Sequence, residues 1–458
     1  YFGNNQDNFV QEVRLQANDS DSILNWVVGG YYSDTRQLSL QEAHPNFVYS
    51  INKLGAAVTD GAPFGPGHGA FVNYYGIGLI DGVSYNSWLK VNEQHLAGFA
   101  QADLNITDRL KVTAGVRVER AKLSYDSRYF GANLNQNAPH GRACVPNSVP
   151  CEAVPIGSFG PGEGPFAPAY GNSAASMSET PVTPKIGISF QANRDNLFYA
   201  SATKGYRIGG AQSALPTLCN AELQSLGFTG SPETYKSDSL WSYEVGTKNR
   251  LANGAINLAA SAFYIRWRDI QTSVSLPSCS NNFVTNATSA SSRGFDVQLN
   301  LNPLDSLNVN LAVGHTVSKF DEALVLSGRT TITRGSAVPN AGAPWTVTAS
   351  AQYSLPVGGS IEPYIRGDLT YNSAMGRTGN TDPGTISYDA MLAPVAANTL
   401  LNARVGGVLF DRVSMSLFMD NVFNAHPSLG LSRTRGQPIY TDRTFRPRTV
   451  GVTLSSNF

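Results

Sequence analysis

Charged residues are scarce in this chain of 458 residues. Asp, Glu, Lys and Arg make up 14% of it, whereas about 25% is usual in soluble globular proteins. The 33 basic and 33 acidic residues balance, so the composition lacks the basic excess that nucleic-acid-binding proteins carry. We therefore expect no nucleic-acid partner.

The sequence also lacks any apolar run of the roughly 20 residues that a membrane-spanning helix needs, although 41% of its residues are hydrophobic. It begins with Tyr1 rather than Met and shows no signal-peptide pattern. We expect Tyr1 to start either a mature chain or a fragment of a longer one.

Cysteine is rare, with four residues in the chain. Cys144 and Cys151 are close together, Cys219 and Cys279 lie further apart, and all four fall in segments that we interpret as loops. An oxidising compartment would give two disulfides, 144 with 151 and 219 with 279. Four unpaired thiols are the alternative. No CxxC motif is present, which argues against a zinc site.

Motifs of common enzyme classes are missing. The sequence has no phosphate-binding Gly-Lys-Ser/Thr loop, no HExxH and no GxSxG. The six histidines are scattered without metal-ligand spacing. We therefore expect neither an enzyme, nor a metal site, nor a cofactor.

Apolar side chains instead fall on every second position along most of the chain. Clear examples are 110–119, 293–301, 307–314 and 345–353. A strand with this period has one apolar and one polar face. The stretch 345–353 carries an aromatic residue at each end of its apolar face, a layout typical of the two interfacial girdles of a transmembrane barrel.

The pattern gives 15 strand candidates, although the parity of 95–104 and 197–207 is ambiguous. The connections between them alternate short and long. The short ones are 16–22, 105–109, 192–196, 251–254, 302–306, 356–360 and 411–412. The long ones are about 34–91, 126–180, 208–237, 270–288, 320–342, 373–396 and 424–444. Short turns on one side and long loops on the other are typical of outer-membrane barrels, whose long loops are extracellular.

These observations predict an all-β protein, a transmembrane antiparallel β-barrel with short periplasmic turns and long extracellular loops. An odd number of strands cannot close as a purely antiparallel barrel, and open edges in lipid would leave backbone polar groups unsatisfied. We expect either a miscount by one or further strands on the N-terminal side.

Taken together, several motifs resemble those of one protein family. They occur in the same order as in that family and cover nearly the whole chain. They are NFVQEVRLQ with LNWVVGGYY near the start, TDRLKVTAGVRVE (107–119), VTPKIGISFQ (182–191), LFYASATKGYRIGG (197–210), SDSLWSYEVGTKNRL (237–251), NLAASAFYIRWRDIQ (257–271), NATSASSRGFDVQL (286–299), MDNVFN (419–424) and RPRTVGVTLSSNF (446–458). This set resembles the TonB-dependent outer-membrane receptors. The final aromatic, Phe458, is similar to the C-terminal barrel-assembly signal of outer-membrane barrels.

The resemblance implies a 22-stranded barrel with an N-terminal plug and a short segment that contacts TonB. Neither has a counterpart here, and the first strand corresponds to about the eighth of the family. We therefore expect residues 1–458 to be a single barrel domain, the C-terminal part of a larger receptor, with 15 of 22 strands. A receptor split into two polypeptides is the alternative.

Charged side chains of the polar face are the first candidate functional residues. We expect them to point into the lumen, as internal ion pairs or as a polar path for solute; they are Glu12, Arg14, Arg117, Glu119, Glu244, Lys248, Arg366, Asp368 and Arg404. Tyr206, Arg207, Trp267 and Arg268 lie at the outward ends of two strands. They are candidates to hold an anionic or aryl ligand by stacking and bidentate hydrogen bonds. An aromatic belt at the outer interface is the alternative.

The resemblance also implies a function, the active import of a scarce solute across the outer membrane of a Gram-negative bacterium. A ferric siderophore is the favoured small-molecule ligand. The implied partners are outer-membrane lipid and lipopolysaccharide, TonB through the N-terminal segment, and the barrel-assembly machinery. A passive porin-like or structural barrel and a secreted adhesin-type β-protein are the alternatives.

Overall fold

The computed structural model describes residues 2–19, 22–43, 85–131, 169–215, 219–277, 281–355, 357, 361–409, 413–433 and 440–456. The helices within these ranges are all too short and too polar to cross a bilayer.

The described residues form 24 strands and three short helical elements. The strands are β1 (Phe2–Ala17), β2 (Leu24–Ala43), β3 (Tyr85–Thr107), β4 (Leu110–Gly131), β5 (Ala169–Glu179), β6 (Val182–Asn193), β7 (Asn196–Arg207), β8 (Gly210–Ala211), β9 (Thr234–Tyr235), β10 (Asp238–Leu251), β11 (Ile256–Arg268), β12 (Gln271–Leu276), β13 (Asn281–Asn286), β14 (Ser289–Leu304), β15 (Leu307–Phe320), β16 (Leu324–Leu326), β17 (Arg329–Ile332), β18 (Trp345–Ser354), β19 (Ile361–Asn372), β20 (Asn398–Leu409), β21 (Val413–Asp420), β22 (Ser432–Arg433), β23 (Tyr440–Thr441) and β24 (Thr449–Ser456). The helical elements are α1 (Asn220–Ser225) and the 3₁₀ turns Ala252–Gly254 and Gly379–Thr381.

Fifteen of these strands make one continuous antiparallel sheet, which we call the wall. Its order is β1-β2-β3-β4-β6-β7-β10-β11-β14-β15-β18-β19-β20-β21-β24, and β5 pairs with the outward part of β4. Within the described residues, β1 has one neighbouring strand, β2, and β24 has one neighbouring strand, β21. The predicted all-β antiparallel fold and its count of about 15 strands are confirmed.

The wall has one apolar and one polar face, as strand alternation requires. The register between β14, β15 and β18 places Val297, Val313 and Val347 side by side on the apolar face. The same register places Asn310 opposite Ser350 on the polar face. The faces therefore continue from strand to strand, and a slip of one residue would exchange them.

Apolar side chains of the wall are exposed, whereas the most buried ones lie in the outward loops. Val452 and Leu454 of β24 are 58% and 70% exposed. The largest fully buried side chains are Phe283, Leu223, Ile270, Leu276 and Cys219. A sheet that exposes its apolar face to the outside suits contact with hydrocarbon, which removes the penalty of that exposure in water.

Aromatic residues on the polar face explain the ambiguous parity of two strands. Phe99 of β3 lies over Gly29 of β2, where a Cβ atom would approach the ring to 2.4 Å. Tyr199 of β7 lies over Gly246 of β10 in the same way, at 2.5 Å. Glycine leaves room for the ring on the neighbouring strand. A large apolar residue thus occupies the polar face without contradicting the register.

The wall strands near the N-terminus extend further outward than the sequence predicted. We expected long loops over 34–91 and 126–180. The structure instead continues β2 to Ala43, starts β3 at Tyr85, continues β4 to Gly131 and starts β5 at Ala169. These predicted loop boundaries were wrong, because the outward strand segments carry polar residues on both faces and lack an alternating apolar signal.

The outward loops fold together into a packed unit, which we call the cap. Its buried residues come from the segment between β8 and β9 and from the hairpin β12–β13; they are Cys219, Leu223, Leu226, Val274, Leu276 and Phe283. Leu324 and Leu326 of β16 and Ile386 of a later loop pack against them. A single apolar cluster therefore joins four outward loops.

Cys219 is disulfide-bonded and fully buried in the cap beside Leu276. Cys279, Cys144 and Cys151 lie outside the described residues. Cys279 follows Leu276 by three residues, so the chain can bring it within the 4.4–6.8 Å Cα separation, approximately, that a disulfide needs. We expect peptide mapping of the unreduced protein to recover Cys219 linked to Cys279. Alkylation of both thiols without prior reduction would contradict this pairing.

Candidate functional site

Arg207 and Asp238 form an ion pair at the outward rim of the wall, where β7 ends and β10 begins. Arg207 Nε donates to both carboxylate oxygens of Asp238, at 3.1 and 3.0 Å, and Nη2 makes a further short contact with the same carboxylate. Asp238 is 2% exposed. It also accepts a 3.0 Å hydrogen bond from the backbone N–H of Gln271, at the start of β12. The pair therefore ties the first cap hairpin to the wall.

Trp267 lies directly beside this ion pair. The guanidinium carbon of Arg207 is 4.7 Å from the Trp267 ring centroid, a cation–π distance. The indole also packs against a second buried apolar cluster that contains Ile270 and Phe320. Its Nε1 atom is buried without a hydrogen-bond partner. The structure thus brings Arg207 and Trp267 together at the rim, and their role in ligand binding stays a prediction.

Tyr206 belongs to a different cluster. Its hydroxyl donates a 2.6 Å hydrogen bond to Glu119 of β4, which is 5% exposed. Glu119 also accepts a 2.8 Å hydrogen bond from Arg117 Nε and lies 2.5 Å from His95 Nδ1. The other ring nitrogen of His95 is 2.6 Å from Glu93. Tyr206 is therefore held by the wall and is not grouped with Arg207.

Arg268 is also separate from the Arg207–Trp267 pair. It is the last residue of β11 and is exposed. Successive strand residues point to opposite faces, so Arg268 and Trp267 leave the sheet in opposite directions. Of the four predicted ligand-binding residues, the structure brings two into contact, Arg207 and Trp267.

Several of the remaining polar-face charges contact their neighbours within the wall. Arg366 and Asp368 form an ion pair of 2.6 Å, and Tyr199 donates a 2.6 Å hydrogen bond to Glu244. The other predicted lumen residues, Glu12, Arg14, Arg117, Glu119, Lys248 and Arg404, share the polar face by the strand register. Phe458 lies outside the described residues.

A cleft in the cap was missed by the sequence analysis. It has a volume of about 490 Å³ and opens between three outward loops. Its polar lining is neutral or acidic and consists of Ser275, Asn281, Asn380, Ser387, Tyr388, Asp389 and Ser432. Tyr440, in the same loop as Ser432, donates a 2.9 Å hydrogen bond to Asp389, so two of the three loops are joined at one side of the cleft. Its parts are far apart in sequence, and no local motif could have indicated it.

A family model described as "TonB dependent receptor-like, beta-barrel" matches residues 1–424. Three solved structures illustrate the likeness of fold. The ferric yersiniabactin uptake receptor FyuA from Yersinia pestis is 14% identical, with a TM-score of 0.64 over 100% of this chain and 55% of that one. The copper transporter OprC is 10% identical, with a TM-score of 0.59 over 100% and 57%. The siderophore receptor PiuA from Acinetobacter baumannii is 14% identical, with a TM-score of 0.57 over 99% and 56%.

This chain thus spans somewhat more than half the length of these proteins. At such low identities the structural likeness shows the fold alone, whereas the family model matches the sequence over most of its length. The chain belongs to the TonB-dependent receptor family, whose members are located in the Gram-negative outer membrane.

Proposed function

We propose that this chain forms the barrel part of an active transporter that imports a scarce solute across the outer membrane with energy delivered through TonB. The match of residues 1–424 to the receptor barrel family carries this proposal. The wall supplies a continuous polar face along which a solute can pass, and the cap supplies an ordered outward surface that can bind it first.

A ferric siderophore is our favoured solute. FyuA and PiuA are by name receptors for ferric yersiniabactin and for a siderophore, whereas OprC is a copper transporter. Siderophores are polar chelators with many oxygen atoms. The hydroxyl and amide groups of the cap cleft offer hydrogen bonds to such a ligand, and we assign first contact to this cleft.

The Arg207–Trp267 pair is our candidate for the next contact, because both side chains belong to the polar face at the rim. The Arg207 side chain is 48% exposed, although its guanidinium group is bound to Asp238. A guanidinium stacked on an indole offers an aryl ligand a flat, positively charged surface. Asp238 then acts as a positioning residue that holds this surface in place.

TonB dependence distinguishes active import from a passive barrel. The full-length receptor would be expressed in cells that lack other receptors, and uptake of labelled ferric siderophores would be measured with and without TonB. We expect uptake with TonB and background uptake without it. Equal uptake in the two strains would contradict the proposal and favour a passive pore. A small solute that enters through general porins is the control, since its entry should not change.

A further inference from the structure

A row of polar side chains crosses the polar face of the wall close to the short inner turns. In register order its members are Arg250, Asn257, Asn300, Asn310, Ser350 and Asp368. Arg250 is the last residue but one of β10, and Asn257 is the second residue of β11. The row therefore lies at the inner mouth of the lumen, at the opposite end of the wall from the cap.

Four asparagines of β14 and β15 form a closed ring of hydrogen bonds at this height. Nδ2 of Asn300 donates to Oδ1 of Asn310 at 2.6 Å, and Nδ2 of Asn310 donates to Asn308 at 2.6 Å. Asn308 donates to Asn302 at 2.7 Å, and Asn302 donates to Asn300 at 3.0 Å. An amide nitrogen carries two hydrogens, and the ring uses one of them on each residue. The ring thus fixes the four amides and leaves further N–H donors for a ligand.

The row borders a cavity of about 840 Å³ on the polar face, which we call the inner cavity. Amide side chains line it, among them Asn257, Gln298, Asn300 and Asn310. Small-molecule sites in proteins have volumes of about 300–1,000 Å³. The inner cavity is therefore large enough for a small molecule, and its lining offers that molecule neutral hydrogen-bond donors.

Three basic side chains line one side of the inner cavity. Arg194 lies in the turn between β6 and β7, and Lys248 and Arg250 lie at the inner end of β10. All three are exposed, and they form no ion pair with any residue that the structure describes. Their positive charges are therefore available to a ligand in the cavity.

The carboxylates of the lining do not cancel this charge. Asp368 lies on the far side, and its carboxylate is bound to Arg366 at 2.6 Å. Asp195 is exposed in the same turn as Arg194 and is in no ion pair within the described ranges. Three cations thus stand against one carboxylate outside an ion pair, and the resulting positive potential attracts an anion.

We propose that the inner cavity is a second binding site for the transported solute and that it takes an anionic chelate rich in oxygen atoms. Cationic groups beside amide N–H donors suit carboxylate or catecholate oxygens, which accept charge-assisted hydrogen bonds. The donors come from strands that curve around one cavity, a shape that suits a compact ligand better than an extended polypeptide. This inference rests on the proposed import function and adds to it a site at the inner mouth and the charge of the solute.

Fluorescence quenching in the purified full-length receptor tests the inner cavity. The fluorophore is attached to Asp305→Cys without prior reduction, because Asp305 is exposed in the turn between β14 and β15, three residues beyond Asn302. The probes are a trianionic ferric tris-catecholate and a neutral ferric tris-hydroxamate. We expect saturable quenching by the trianionic chelate, weaker as salt is raised, and much weaker quenching by the neutral one. Absence of saturable quenching would overturn the proposal, and it is the result expected if an acidic segment of the receptor fills the cavity.

The double variant Lys248→Gln with Arg250→Gln should bind the trianionic chelate about ten-fold more weakly, because two exposed charge interactions are lost. Asn310→Asp should also weaken binding, since it places a carboxylate in the lining. The matched control is Lys111→Gln with Lys185→Gln, two exposed lysines on the polar face of β4 and β6 that do not line the cavity. The control should bind as the wild type does. Unchanged affinity in the double variant, or an equal loss in the control, would overturn the assignment.

The quenching measurement needs no TonB, so it separates the inner cavity from active import. Equal uptake with and without TonB would contradict active import and leave these affinities unchanged. Equal affinities of the wild type and the double variant would contradict the inner site and leave the TonB dependence of uptake intact.

Discussion

Val116→Arg is expected to lower the yield of folded receptor in the outer membrane far more than Thr113→Arg does. Val116 lies on the apolar face and is 43% exposed there. It is six residues beyond Leu110, which is about 15 Å above the turn at the usual rise and tilt and therefore close to the bilayer midplane. An arginine on the lipid face at this depth costs about 2–4 kcal/mol.

Thr113 is the matched control, because it lies on the same strand but on the polar face. Its hydroxyl donates a 2.6 Å hydrogen bond to Asp103 of β3, so an arginine at this position would find a carboxylate beside it. Heat-modifiable mobility of the membrane fraction on gels measures the folded yield of both variants. Equal yields would reject the assignment of the two faces.

Asp238→Asn is expected to loosen the attachment of the cap to the wall. The buried carboxylate accepts hydrogen bonds from both Arg207 and the backbone N–H of Gln271, and an amide cannot neutralise the guanidinium. Breaking a fully buried ion pair costs about 3–5 kcal/mol. Because the Arg207 side chain is 48% exposed, water replaces part of the interaction, and we expect about 2 kcal/mol for the hydrogen bonds to the charged group.

Hydrogen exchange at backbone amides measures this local change. In Asp238→Asn the amide of Gln271 should exchange faster, while amides in the middle of β10 should keep their protection. Asp269→Asn is the control, since Asp269 is exposed at the same rim and its positive φ of 52° suits asparagine. If Asp238→Asn leaves the amide of Gln271 as protected as in the wild type, the ion pair does not hold the cap.

The wall could be predicted from the sequence because each strand carries its own evidence. The alternation over 110–119 places Val112, Val116 and Val118 on one face, and the short turn at 105–109 fixes where the strand begins. These are local signals, and one strand is enough to show them. The ambiguous stretches were those in which Phe99 and Tyr199 lie over glycines of the neighbouring strand, an arrangement that only the register reveals.

The rim and the cap could not be predicted in the same way, because their contacts join distant segments. Tyr206 and Glu119 are 87 residues apart, and neither has a local pattern that indicates the other. Asp238 lies in the strand motif of 237–251, but no local pattern indicates Arg207 as its partner. In the sequence the outward loops are separate long connections, whereas in the structure Leu223, Leu276 and Leu324 pack in one cluster.

That shared cluster constrains how the outward loops of this chain can be exchanged. If one outward loop were exchanged for that of another receptor, the leucines of the remaining loops would face side chains of the wrong shape, and the cavity or clash would cost about 1–3 kcal/mol for each mismatch. We therefore expect a chimaera that exchanges one of these loops alone to have a less stable cap than one that exchanges all four together. Chimaeras of this chain should be joined at the wall strands rather than within the cap.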